Sequence, residues 1–93
     1  MAHDTIPRRP ARHVTASMHD TGVVLFHTAN GQLFTSNLAG ALIWQGLQAS
    51  LSAESIAEQL SLRYRIPRAV AEADTTHFLA QLEGQRLIER GTA

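Results

Sequence analysis

Cysteine is missing from all 93 residues, which excludes a disulfide scaffold, a thiolate nucleophile and a thiolate metal site. The same absence leaves the redox compartment open. Lysine is missing too, so all eight basic residues are arginine, and eight acidic residues balance them to a formal net charge of +0. With no excess of either sign, no bulk field draws a polyanion from a distance. No run approaches the roughly 18 apolar residues of a membrane span, and Met1 to Ala16 holds no apolar core of a secretory signal. A cytoplasmic protein that does not engage a membrane is the expectation. There is no nucleophile-and-base arrangement, no phosphate-cradling glycine loop and no paired acidic motif, so no catalytic residue and no cofactor are expected. Internal repeats and low-complexity tracts are absent as well.

What is present fits one domain. A chain this short buries roughly 60 to 65% of the surface that its unfolded form exposes, enough for a thin core, so any site lies on the surface or in a shallow groove. Residues 1–12 carry Arg8, Arg9, Arg12, Pro7 and Pro10 with only Ile6 as a sizeable apolar residue. This segment reads as a flexible basic arm, and residues 13–93 as the folded domain. Val14, Ala16 and Met18 alternate with His13, Thr15, Ser17 and His19, the period of a half-buried strand, before a turn at Asp20-Thr21-Gly22.

Asn30-Gly31 lies between two β-branched and aromatic runs, the sequence of a type I′ hairpin turn. It predicts a second strand at Val23 to Thr28 and a third at Gln32 to Ser36. A two-residue turn sets Ala29 opposite Gln32, His27 opposite Phe34 and Phe26 opposite Thr35. One face then carries Val24, Phe26, Leu33 and the threonines, and the other Val23, Leu25, His27 and Phe34. Neither face is polar, so the sheet needs two covers, and the helices supply one.

Asn37 occupies an N-cap position, and helix one is expected at Leu38 to Leu47 with Leu42, Ile43 and Trp44 as its main apolar content. Ser52 caps helix two, with Leu51 and Ile56 spaced as a hydrophobic staple and Ile56, Leu60 and Tyr64 as an apolar line. Pro67 opens helix three at its first position, and the helix runs to about Arg86 with Phe78, Leu79 and Leu82 facing the core. Leu87-Ile88 then folds back onto the body. The order is three strands followed by three helices.

That order resembles the PqqD-like peptide chaperones, or RiPP recognition elements, over roughly residues 13–89. The likeness rests on Gly31, Phe34, Asn37, Gly40, Ala41, Ile43 and Trp44, then Asp74, Phe78, Leu79, Leu82 and Leu87-Ile88. The combination carries the weight, for no single motif is diagnostic. Ser36, where a leucine is usual, and Gln48-Ala49-Ser50, where a tighter glycine turn is common, depart from the pattern. The resemblance implies an α+β winged helix-turn-helix, a three-stranded antiparallel sheet followed by three helices, that is not an enzyme. It implies that the leader of a ribosomally made precursor adds as a strand beside the third strand, in a cleft walled by helix three. The protein would then present that leader to a modifying enzyme or a leader peptidase. A lasso-peptide pathway, with a cysteine-protease-like partner, is favoured over pyrroloquinoline quinone assembly with its radical SAM enzyme, because Gly31 to Trp44 resembles the lasso group more closely.

The candidate peptide contacts are therefore Gln32, Leu33, Phe34 and Thr35 on the strand and Val70, Asp74, His77, Phe78 and Gln81 on the helix, where a 100° wheel puts the five in one sector. An edge strand satisfies its unpaired N–H and C=O groups with any extended peptide, while alternate side chains set specificity. Two groups, Asp74 and His77, do not make a zinc site, and no metal is expected. A winged-helix DNA-binding regulator is one alternative, but helix three mixes Arg68 and Arg86 with Glu72, Asp74 and Glu83 and lacks the basic face that phosphates require, so no nucleic-acid partner is expected. A module that pairs its edge with a second copy is another; a monomer or weak dimer is expected.

Overall fold

Asn37 follows the second strand of the hairpin and starts the first helix, as its residue type predicts. Its side chain accepts the Gly40 N–H at 3.0 Å while its carbonyl accepts that of Ala41 at 2.9 Å. The computed structural model describes residues 8–90. Four strands precede this cap: β1 (Arg8–Pro10), β2 (Val14–His19), β3 (Gly22–His27) and β4 (Leu33–Ser36). Helices α1 (Leu38–Gln48), α2 (Ala53–Tyr64) and α3 (Arg68–Gly84) follow, and β5 (Ile88–Arg90) closes the order. Strands β2-β3-β4 form an antiparallel three-stranded sheet in chain order, and β1 pairs with β5 in a separate two-stranded ribbon. The fold is the expected α+β arrangement, with the ribbon added to it.

The core lies where α1, α2 and α3 meet the inner face of the sheet. Val23 and Leu25 from β3 pack there with Ile43, Trp44 and Leu47 from α1, Ile56 and Leu60 from α2, and Leu79 and Leu82 from α3. Leu87 and Ile88 fold back into this core as expected, the Leu87 N–H bonding to the Leu82 carbonyl at 2.9 Å. Ser52 caps α2 through the Ser55 N–H at 3.1 Å, with Leu51 packed against the core ahead of buried Ile56, the positions of a staple. Ser50 adopts φ 63°, the conformation that a glycine turn would supply without strain.

Several expectations are corrected. The hairpin turn has four residues, 28–31, rather than two. His27 N–H donates to the Gln32 carbonyl at 2.9 Å, and Leu25 faces Phe34 while Phe26 faces Leu33. Gly31 alone in this loop has a positive φ, 76°, whereas a type I′ turn needs one at Asn30 too. Asn30 instead accepts the Gln32 N–H on its side chain at 2.9 Å, and the Gly31 N–H closes onto the His27 carbonyl at 2.8 Å. The partner of each β3 residue moves by two positions, so every side chain keeps its assigned face.

The arm reading fails for Arg8 to Arg12. Arg8–Pro10 are a strand facing Arg90, Glu89 and Ile88, and the Ala11 N–H donates to the Leu87 carbonyl at 3.0 Å. Arg8 Nε reaches Glu83 Oε2 at 2.7 Å, and Arg9 lies 3.6 Å from Glu89, so these cations serve contacts within the fold. The arm expected at residues 1–7 lies outside the described residues. Strand β2 is present but not half-buried: Val14 is partly covered, while Ala16 and Met18 are exposed. Tyr64 is exposed at the last position of α2, past the point where the core can cover it. Pro67 is the cap before α3 rather than its first residue, and α3 stops at Gly84, with Arg86 at φ 62° turning the chain toward β5.

Candidate functional site

Strand β4 is an edge, and the hydrogen bond from His27 to Gln32 determines which of its groups are free. Partners in an antiparallel pair alternate between bonded and non-bonded, so Leu25/Phe34 and Val23/Ser36 are the bonded pairs beyond it. The backbone N–H and C=O of Phe34 and Ser36 therefore point at β3. Those of Leu33 and Thr35 point away, to an edge where no further strand pairs among the described residues. A two-residue turn at Asn30-Gly31 gives the same division between inward Phe34 and outward Leu33 and Thr35, because a two-residue slip preserves it.

Helix α3 stands beside this edge. The Phe34 and Phe78 rings meet with centroids 5.9 Å apart and planes tilted by 59°, the edge-on geometry that aromatic quadrupoles favour. Gly40 makes the contact feasible: a Cβ there would overlap the Ser36 hydroxyl and come within 2.9 Å of Phe78 Cζ. One turn beyond Gln81, Gln85 accepts a hydrogen bond from the Gln32 side chain. The edge and the helix thus run side by side in opposite directions, tied at Gln32–Gln85 and joined along the floor by Phe34–Phe78.

The helix presents its mixed flank to this side. Ala71, Thr75, Phe78, Leu79 and Leu82 are buried. Toward α2, Glu72, Thr75 and Thr76 line a shallow depression of about 290 Å³ with Ala53, Glu54 and Ala57, which contains none of the candidate residues. A 100° advance per residue sets Val70, Asp74, His77 and Gln81 on the opposite flank, next to Phe78 and turned from α2. All four are exposed. Asp74 forms no ion pair among the described residues, where Arg68 pairs with Glu72 at 3.3 Å instead. Among those residues no group of three or more His, Cys, Asp or Glu side chains is placed to hold a metal ion.

The structure therefore assembles Phe34 and Phe78 as the floor of a cleft, Leu33 and Thr35 as its open backbone edge, and Val70, Asp74, His77 and Gln81 as its far wall. Gln32 differs from the expected contact. Its carbonyl is used by His27 and its side chain by Gln85, so it holds the wall in place. The sequence assigns no site role to Gln85, Ser36 or Gly40, although Gly40 enters the family pattern and Ser36 departs from it. Gln85 carried a signal, being four residues past Gln81 in the same wheel sector; Ser36 and Gly40 carried none, since their role depends on Phe78.

The fold and the cleft define a winged helix-turn-helix protein with one sheet edge left open beside a helix. Residues 22–88 match the family model for coenzyme PQQ synthesis protein D, PqqD, and the chain belongs to that family. Among solved structures it is similar to TbiB1 in complex with the TbiA(beta) leader peptide, with a TM-score of 0.82 and 29% identity over 91% of this chain and 98% of that one. It is also similar to a lasso peptide synthetase B1 complexed with its leader peptide, with a TM-score of 0.80 and 26% identity over 88% and 96% of the two chains. No curated protein sequence matches it. Among the described residues no helix is long and apolar enough to cross a membrane.

Proposed function

We propose that this protein binds the leader of a ribosomally synthesised precursor peptide as an added strand on β4 and presents it to a modifying enzyme or a leader peptidase. The observation that carries the reading is the unpaired edge at Leu33 and Thr35 beside the Phe34–Phe78 floor. Backbone pairing supplies affinity that does not depend on sequence, and the α3 wall supplies the pockets that do. The solved structures it resembles carry leader peptides, which favours a lasso-peptide client over a pyrroloquinoline quinone precursor. The role is binding and delivery, without a catalytic step or a cofactor of its own. A precursor is met where it is translated, so the encounter belongs in the cytoplasm, with the protein acting as a monomer or weak dimer.

Fluorescence anisotropy with labelled leader and core halves of a lasso-type precursor peptide from the same genome tests the reading. Leader binding with no core binding is the expected result, and equal or absent binding of both overturns it. Duplex DNA is the control for the winged-helix alternative. Balanced charge and an acidic α3 predict no sequence-dependent shift at physiological salt.

A further inference from the structure

The face of the sheet turned away from the helices has an uneven composition. Cross-strand register sorts it into rows: Thr15–Phe26–Leu33 is one, and Ser17–Val24–Thr35 is the next. In the first row Phe26 remains 38% exposed and Leu33 60%, although each is a large apolar side chain. The second row ends in a threonine. Both rows end at β4, on the same two residues whose backbone groups point to the open edge.

A strand that pairs with β4 extends each row by one residue on the same face, because side chains alternate across the pleat and cross-strand neighbours share a face. We infer that the outer face, through Leu33 and Phe26, selects a large apolar leader residue opposite Leu33 and a small or β-branched one opposite Thr35, two positions away. This rests on strand addition at β4 as proposed above. The occupant is the leader and not a separate docking protein, because the apolar row is only two residues wide and runs into the open edge. The strand that pairs there is what continues it. Specificity would then be read on both faces of one peptide: cleft-facing residues against α3, and the intervening residues against Leu33 and Thr35. The sequence signature is a large apolar residue adjacent to a cleft-facing one, rather than strict alternation.

The test selects displayed random 12-residue peptides on the wild-type protein, on Leu33→Glu and on Leu33→Thr. Exposure at position 33 predicts that both variants keep the wild-type melting temperature. Enriched wild-type peptides should carry an apolar residue at one position adjacent to a cleft-facing one. Leu33→Glu should move that position to Arg or Lys and leave the others unchanged, and Leu33→Thr should erase its preference. A synthetic wild-type-selected peptide should bind either variant about three- to tenfold more weakly. Identical pools from all three proteins overturn the inference while leaving leader binding intact. Failure of wild-type protein to enrich any peptide, or undiminished binding of the synthetic peptide to Thr35→Pro, overturns strand addition itself and the inference with it.

Discussion

The sheet has two edges, and among the described residues only one of them is walled. At β4 the free N–H and C=O groups belong to Leu33 and Thr35, and α3 stands alongside, joined by Phe34–Phe78 and Gln32–Gln85. At β2 the His13 carbonyl accepts the Thr28 N–H at 2.7 Å, which makes Thr15 and Ser17 the residues bonded to β3. Val14, Ala16 and Met18 then turn their backbone groups outward, and Ala16 and Met18 are exposed, with no further strand paired to that edge among the described residues. The two edges offer the same backbone chemistry. What distinguishes them is a neighbouring helix that can hold the far side of a peptide and read its side chains, so an open edge becomes a site through what stands next to it.

Proline substitutions sharpen that contrast, and the largest effect belongs to the inward position of β4. Phe34→Pro removes a ladder bond to Leu25 and the ring against Phe78, and it should destabilise the fold by about 3 to 5 kcal/mol, read as a collapse of the melting temperature. A near-normal melt would show that β4 is not paired as described. Thr35→Pro removes only an outward donor, so the melt should stay close to wild type while leader affinity falls by roughly 1 to 3 kcal/mol in anisotropy titration.

Ala16→Pro is its counterpart on β2, where it too removes an outward donor. Leader affinity should be unchanged, and a loss there equal to that of Thr35→Pro would erase the distinction between the edges. The smallest effect is expected at the wall. Gln85→Ala cuts its tie to Gln32 and should weaken leader binding by about 0.5 to 1.5 kcal/mol with little change in melting, measured by the same titration.

Local chemistry was the legible part. Asn37 and Ser52 act as caps because capping involves groups within three residues, and the α3 wall follows from helical spacing alone. Asn30-Gly31 announced a hairpin but not its length, because Asn30 found a partner in the Gln32 N–H that competes with the type I′ geometry. The faces survived that error because it spanned two residues. Strand β1 was illegible for a different reason: Arg8–Pro10 are strand only through β5, and Arg8 through Glu83, 75 residues away. No window along the chain contains such a pairing. The cleft lies between these extremes, its two sides readable separately and its floor, Phe34 on Phe78 over Gly40, visible only once the helix is placed.

The β1–β5 ribbon has a consequence for how the protein is joined to anything else. Arg8 lies directly opposite Arg90, so chain entering before β1 and chain leaving after β5 depart from one corner of the molecule. A domain fused at either end is therefore tethered at the same corner, and the choice between an upstream and a downstream fusion leaves that anchor in place. Since β5 follows α3 through Leu87, pulled down into the core, load on such a tether acts on the ribbon and that anchor before it acts on the hairpin.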